Sequence, residues 1–299
     1  MNELKIIPQW KRITYTCTTV CNYSCSYCTE YHYNGKYRWT EDYTSLLNLS
    51  NEFRKYRPLI FDIMGGEPTL WPKLHEFCDD LVNSSKQPTA IIFTTNGSRT
   101  LNYWKKFNAP IDELGFSFHT ETASEDHFIE VFEELHTRYR ISCVLMMPPS
   151  QFEKIKKFYN RLLESKLLIN VRIKLIADWH NGTGILPTYT TEMLEFAKIK
   201  FSRSKIRSII RYDFLVDGEK TTTSEHLINS SNNYFGWKCN MGLDNLNIEP
   251  NGNIYGATCK IVKPYGNIYS TYKLPTAPEI CTKTSCVCGT DVQIYKTNK

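Results

Sequence analysis

No stretch of this 299-residue chain is apolar for long enough to cross a membrane, and Met1 to Trp10 lacks the basic-then-apolar order of a secretory signal. These absences predict a cytoplasmic protein. No internal repeat and no low-complexity segment occurs, which excludes solenoids and disordered arrays. Charge of one sign is not in excess. Lys and Arg number 36 and Asp and Glu 31, for a net charge of +5 and a pI of about 8.5. That bias is too mild for a nucleic-acid surface, and no RNA-binding signature accompanies it.

Cysteine, by contrast, is plentiful, with eleven in the chain. In a small secreted protein they would read as disulfides. In a chain of this length, in a reducing compartment, clustered cysteines read as metal ligands. A charged fraction of 22% leaves enough apolar residue for a sizeable core.

Apolar, β-branched runs alternate with helical stretches. Strands are expected at Ile13–Thr18, Leu59–Met64, Ala90–Thr95, Glu113–His119, Ile141–Met147 and Asn170–Asp178. Helices are expected at Thr44–Lys55, Lys73–Ser84, Leu101–Phe107, Ser124–Arg138, Gln151–Ser165 and Thr191–Phe201. Strand–helix units in series predict parallel strands with right-handed crossovers, mostly apolar because helices bury them. The fold class is α/β, a partial (β/α)6 TIM-like barrel followed by a small cysteine-rich β-hairpin domain. The rhythm changes near residue 205. Ile206–Val216 and Glu219–Ser224, joined by Asp217-Gly218, read as one hairpin. Leu246–Ile248 and Ile254–Ala257, joined through Pro250-Asn251-Gly252, read as a second. The division is therefore 1–205 and 206–299.

Cys21, Cys25 and Cys28 follow the first strand, at the end where barrel enzymes place their sites. Three thiolates so spaced can hold three irons of a cubane and leave the fourth open to a small molecule, whereas ordinary clusters take four cysteines. A zinc knuckle is the competing reading. Cys17 lies inside the strand and reads as a buried small hydrophobe, as do Cys78 and Cys143 in their apolar settings. Gly65-Gly66-Glu67-Pro68 ends the second strand, where glycine lets backbone approach a ligand closely; alone, it reads equally as a turn. Thr94-Thr95-Asn96-Gly97 ends the third and also fits a plain turn. In the fourth, Ser117 and His119 share one side and Phe118 takes the other. In the sixth, Arg172 and Lys174 share a face opposite Val171, Ile173 and Leu175. Two cations there need anions, unless the face is wet. The basic run from Lys198 to Arg207 reads as a solvated helix end or a contact for phosphate or an acidic peptide.

The cysteine triplet followed at this distance by Gly65–Pro68 resembles the radical S-adenosylmethionine (SAM) superfamily. The resemblance implies a [4Fe-4S] cluster on Cys21, Cys25 and Cys28, its open iron chelated by SAM. It implies that Tyr27 packs near the adenine, that Gly65, Gly66, Glu67 and Pro68 hold the SAM amino group, and that Thr95 and Asn96 line the pocket. Ser117 is the candidate for the ribose and Arg172 for the SAM carboxylate, whose fork it matches. His119 is the candidate acid/base or substrate contact, with a structural histidine as the alternative.

Cys239, Cys259, Cys281, Cys286 and Cys288 resemble the ligands of the superfamily's auxiliary-cluster domains, SPASM and its shorter form, twitch. Five cysteines are too few for the two clusters of a full SPASM domain. One auxiliary [4Fe-4S] cluster is expected, with the choice of four ligands open and a structural zinc site as the alternative. A spare cysteine would be a proton or hydrogen-atom donor, or idle.

The resemblance further implies reductive cleavage of SAM by an electron from an external one-electron reductant such as flavodoxin or ferredoxin. The resulting 5′-deoxyadenosyl radical would take a hydrogen atom from the substrate. Oxidative modification of a ribosomally made peptide is the favoured outcome. A small alcohol, sugar or nucleotide is the alternative substrate. With the first strand near residue 13, no fused peptide-recognition domain is expected. An iron–sulfur or zinc binding protein without SAM cleavage would follow if a fourth ligand such as Cys17 or His32 closed the site.

Overall fold

Side-chain alternation along the strands gives the central sheet one apolar and one polar face. The structure, a computed structural model, describes residues 3–5, 10–29, 33–178, 184–206, 213–216, 219–229 and 231–298. The elements run β1 (Glu3–Lys5), β2 (Lys11–Thr16), α1 (Thr44–Phe53), β3 (Leu59–Met64), α2 (Leu74–Asn83), β4 (Thr89–Thr95), α3 (Leu101–Lys106), β5 (Glu113–His119), α4 (Glu125–Leu135), β6 (Arg140–Met147), α5 (Phe152–Glu164) and β7 (Ile169–Leu175). They continue β8 (Ala177–Asp178), β9 (Gly184–Ile185), α6 (Thr191–Ala197), β10 (Lys200–Ser202), β11 (Asp213–Val216), β12 (Glu219–Thr222), α7 (Thr223–Ile228), β13 (Lys238–Cys239), β14 (Asn245–Ile248), β15 (Ile254–Tyr255), β16 (Glu279–Ile280) and β17 (Lys296–Thr297).

A nine-stranded sheet has the order β10-β7-β6-β5-β4-β3-β2-β14-β15. Strands β2 to β7 and β14 are parallel, and β10 and β15 close its two edges antiparallel. The result is a mixed sheet in the form of a partial (β/α) barrel. Its outer face carries Ile13, Phe61, Ile63, Phe93, Phe116, Phe118, Leu145, Val171 and Ile173, all buried under helices. Helix α5 shows why: Phe152, Ile155, Phe158, Tyr159 and Leu162 recur at helical spacing and form its buried stripe. Phe158 meets Phe118 with ring centroids 4.2 Å apart. Side-chain caps fix helix starts, Thr100 accepting from Tyr103 N and Ser124 from His127 N.

The inner face departs from the expectation of strands apolar on both sides. It carries Arg12, Thr14, Asp62, Glu113, Ser142, Arg172 and Lys174, because no helix among the described residues covers it. Arg12 pairs with Asp62 at 3.2 Å and Arg140 with Glu113 at 3.1 Å, while Ser142 also donates to Glu113. Each of these two pairs neutralises its own charges within the lumen, as buried ions must.

A second sheet is antiparallel throughout, in the order β12-β11-β1-β17-β13-β16. The first expected hairpin is present as β11 and β12, its Asp217-Gly218 turn lying outside the described residues, as do His32 and Arg207. The second is present as β14 and β15, but it does not belong to this sheet. Leu246 and Ile248 are fully buried against the barrel core, and β14 pairs in parallel with β2, Asn247 opposite Thr14. Apolar burial beside β2 drew the hairpin into the barrel. Conversely, Glu3–Lys5 lies between β11 and β17 in the small sheet.

Candidate functional site at the carboxyl ends of the barrel strands

Four loops meet where β2 to β5 end. The loop after β2 leaves and returns through one clasp: Thr19 N donates to Tyr37 O at 2.8 Å, and Tyr37 N to Thr19 Oγ1 at 2.9 Å. Gly66 N donates to Thr18 O and Glu67 N to Val20 O, both at 2.8 Å, so Gly65–Pro68 is laced to the approach of the cysteine loop. Gly65 sits at φ 144°, and a Cβ there would stand 2.6 Å from Thr18 O. Only glycine tolerates that conformation and that approach.

Glu67 is fully buried, and both of its carboxylate oxygens bind protein. Oε1 accepts from Thr69 N at 2.9 Å, Thr69 Oγ1 at 2.6 Å and Thr95 Oγ1 at 2.8 Å; Oε2 accepts from Asn96 N at 2.7 Å. Burial pushes its carboxyl up, against the pull of those donors. The Asn96 amide donates to Asn22 Oδ1 at 2.9 Å and to Cys21 Sγ at 3.7 Å. Asn22 in turn donates to Ser98 Oγ at 2.8 Å. Glu67, Thr95 and Asn96 therefore brace three loops against one another.

The fourth loop pins the far side. Glu121 accepts from Ser26 N at 2.8 Å and from Ser26 Oγ at 2.5 Å. Tyr27 Oη and His119 Nδ1 are 2.8 Å apart, with the rings stacked at 5.9 Å and 18°, and Tyr23 meets His119 edge-on. Burial, then the Lys174 ammonium, lowers the His119 pKa to about 4. The imidazole is neutral at pH 7. Ser117 and His119 face the lumen and Phe118 the core, as alternation requires. Arg172 lies within electrostatic reach of Asp62, deeper in the lumen.

Lys174 was singled out on sequence together with Arg172, but only Arg172 was chosen as a site residue. It faces the lumen, open to solvent yet ringed by protein, and has no acid within ion-pair distance among the described residues. Its pKa is lowered by that enclosure and by Arg172, and it lies within electrostatic reach of Cys28 and Cys288. The signal was its register on β7, two residues beyond Arg172 and opposite Met146 of β6. A surface cleft of about 350 Å³ lined by His75, Arg99, Tyr103 and Lys106 lies outside the barrel, away from these groups.

The expectation of [4Fe-4S] clusters at both cysteine sets is corrected by the structure. Among the described residues no group of three or more His, Cys, Asp or Glu side chains could hold a metal ion. Three of the sulfurs have local hydrogen-bond partners. Cys21 Sγ accepts from Tyr23 N at 3.4 Å, Cys281 Sγ donates to Lys283 O at 3.7 Å and Cys288 Sγ to Thr258 Oγ1 at 3.6 Å. Burial raises the thiols of Cys21, Cys25 and Cys28, that of Cys25 to about 12, and of Cys239, Cys259, Cys286 and Cys288, that of Cys259 to about 12. The gap lined by Cys239, Cys259, Cys281 and Cys286 has a volume of about 10 Å³, room for a single water and not for a cubane. Cys17, Cys78 and Cys143 are fully buried in the core.

Residues 15–162 match the Radical SAM superfamily. No curated protein matches the chain. Among solved structures, anSMEcpe with bound AdoMet is 18% identical, with 88% of this chain and 79% of that one covered and a TM-score of 0.56. The structure of anSMEcpe with bound AdoMet and Kp18Cys peptide is also 18% identical over the same shares, with a TM-score of 0.54. SuiB of Streptococcus suis is 16% identical, with 87% of this chain and 63% of that one covered and a TM-score of 0.55. At these identities the likeness shows the fold.

Proposed function

We propose, from the premise that residues 15–162 form a Radical SAM superfamily domain and that the protein is a SAM-dependent enzyme, that it cleaves SAM reductively and uses the resulting radical to modify a peptide. The observation that carries the reading is the convergence of the 17–28 loop, Gly65–Pro68, Thr95–Gly97 and His119–Glu121 at the carboxyl ends of four consecutive parallel strands. In this reading the backbone of Gly65, Gly66 and Pro68 accepts the SAM amino group, Ser117 meets the ribose and Tyr27 walls the adenine. Arg172 and Lys174 supply positive charge for carboxylates, deep in the lumen and at its mouth. Glu67, Thr95 and Asn96 act as positioning residues, since their polar atoms are already bonded to protein. An external one-electron reductant, flavodoxin or ferredoxin, supplies the electron. His119, neutral and steadied by Tyr27, accepts or returns a proton at Nε2 as the substrate reacts.

A sheet edged by β10 and β15 leaves the lumen open between them, which suits an extended substrate. The fold likeness to anSMEcpe, whose structure holds a peptide, supports the peptide class over small alcohols or sugars. The test is anaerobic incubation with SAM and dithionite, following methionine and 5′-deoxyadenosine by mass spectrometry, then addition of peptides encoded beside the gene. A SAM-dependent loss of two hydrogens from one peptide is expected, the first as an atom to the 5′-deoxyadenosyl radical and the second as a proton to solvent with its electron returned to the external one-electron carrier. Deoxyadenosine without change in any peptide would overturn the peptide class; no SAM cleavage with peptide present would overturn the whole reading.

A further inference from the structure

The cleft on the outer surface has no part in the lumen chemistry, yet its lining is built for negative charge. It runs between α2 and the segment from Arg99 to Phe107, with a volume of about 350 Å³. The lining holds three basic side chains, His75, Arg99 and Lys106, and no acid. Arg99 lies over the Tyr103 ring, 4.6 Å from its centroid, which steadies the guanidinium at the cleft wall. His75 meets the Phe107 ring edge-on at 4.8 Å and reaches Asn108 Oδ1 at 3.2 Å. Of the acids on α2, Glu76 and Asp80 each accept from Tyr43 Oη at 2.7 Å and so turn to the start of α1, and Asp79 lies outside the lining. Lys105, exposed beside Lys106, adds to the positive field. The same cleft abuts the cysteine loop through a short series of contacts. Ser98, the neighbour of Arg99, accepts from Asn22 Nδ2 at 2.8 Å, and Asn22 is the neighbour of Cys21. The Asn96 amide reaches Asn22 Oδ1 at 2.9 Å and Cys21 Sγ at 3.7 Å. A partner seated on Arg99 therefore stands against the outer wall of the candidate site without entering the lumen.

We propose that this cleft is the docking surface for the external one-electron carrier protein, and that the carrier meets it with an acidic face. The inference rests on the radical reading above, which draws one electron from outside. In that step the reduced carrier loses one electron and SAM gains it. The carbon–sulfur bond breaks to methionine and the 5′-deoxyadenosyl radical, and no proton moves. A carboxylate of the carrier lies between the Arg99 fork and the Lys106 ammonium. Charge suits such a partner better than apolar area does, because electron-transfer encounters are small and brief and complementary charge raises their on-rate. Thr100, Asn102 and Lys106 are exposed, which favours a broad protein partner over a small enclosed anion.

The test compares two reductants in the intact protein, reduced flavodoxin or ferredoxin against dithionite, with 5′-deoxyadenosine as the readout. Dithionite is small and needs no docking surface. The variant carrying both Arg99→Glu and Lys106→Glu should lose about tenfold in carrier-driven cleavage at low salt while its dithionite-driven rate stays at the wild-type value. Lys106→Glu alone, at an exposed position, should lose severalfold and covers the case in which the double variant fails to fold. Raising the ionic strength from about 0.01 to 0.1 M shortens the screening length from about 30 to 10 Å. That change should slow the carrier-driven rate of the wild type and leave the double variant nearly unmoved. Equal carrier-driven rates in wild type and both variants overturn the inference and leave SAM cleavage standing. So does an equal loss with both reductants, which would make Arg99 a brace for the loop at Ser98. Cleavage with dithionite but with neither carrier overturns it as well, and so does inhibition by inorganic phosphate beyond that of chloride at equal ionic strength, which would assign the cleft to a small anion. Absence of deoxyadenosine from the wild type with every reductant sinks the radical reading and the docking surface with it.

Discussion

Replacing Glu67 by Gln removes one charge and one acceptor from a site where both carboxylate oxygens are bonded. Oε1 serves Thr69 N and two hydroxyls, and Oε2 serves Asn96 N. A Gln amide has a single oxygen. Placed at Oε1, it leaves the Asn96 N–H facing an NH2 group; placed at Oε2, it strands the Thr69 N–H. A charge-assisted hydrogen bond is worth about 1.5–3 kcal/mol, and a buried donor left unpaired costs about 1–3 kcal/mol. The burial that raises the Glu67 pKa works the other way, because a neutral amide escapes the desolvation of a carboxylate. The net expectation is a loss of about 2 kcal/mol, close to 30-fold in the unfolding equilibrium. Urea unfolding of Glu67→Gln, Thr95→Val and the double variant closes a mutant cycle, and the coupling between them should exceed about 0.5 kcal/mol. The sign with pH is also fixed. A carboxyl whose folded pKa is above its ordinary 4.5 holds its proton more tightly when folded. The stability it contributes is complete below that value and falls as pH rises through the folded pKa. The Gln variant should lack this dependence. An unchanged midpoint, additive variants and an identical pH profile would together refute the bracing role.

Gly65→Ala should lose about 3 kcal/mol in stability, since a Cβ would meet Thr18 O at 2.6 Å and φ is 144°; normal unfolding and normal SAM binding by calorimetry would count against the close-approach reading. By NMR titration, the His119 imidazole should stay neutral down to about pH 4, and Lys174→Met should move its midpoint upward toward 6.5, because a repelling cation is gone. No change in midpoint would place Lys174 away from the ring. Lys296 is buried and donates to the carbonyls of Asp291 at 2.6 Å, Ile294 at 3.0 Å and Val292 at 3.4 Å. Lys296→Met should cost about 2 kcal/mol and hasten hydrogen exchange at the Thr258 and Cys259 amides, which donate to Asp291. Retained protection there would refute the link.

The strands from β2 to β7 and the helices between them were legible because each is a local pattern. Leu59–Met64 and Glu113–His119 occupy the expected residues, and Thr191–Ala197 ends only a few residues early. Period-two alternation alone put Ser117 and His119 opposite Phe118, and Arg172 and Lys174 opposite Val171. The glycine-rich end of β3 needs no neighbour to be read, since a residue without a Cβ signals close approach wherever it falls.

Partnership was not legible, because it joins residues far apart in the chain. Nothing near Leu246 says that β14 would lie beside β2, a choice made by burial of Leu246 and Ile248 against the barrel core. That Thr95 and Asn96 donate to Glu67, 28 and 29 residues away, could not be read from the sequence either. Cysteine spacing is a one-dimensional quantity, whereas metal ligation requires sulfurs to converge on one point in space. The sequence by itself determined the barrel's elements, their faces and the end at which chemistry gathers. Only the tertiary structure decided that no three of the described thiols gather into a metal site and which carboxylate is spent on the scaffold, because those outcomes depend on distances between elements that no local pattern encodes.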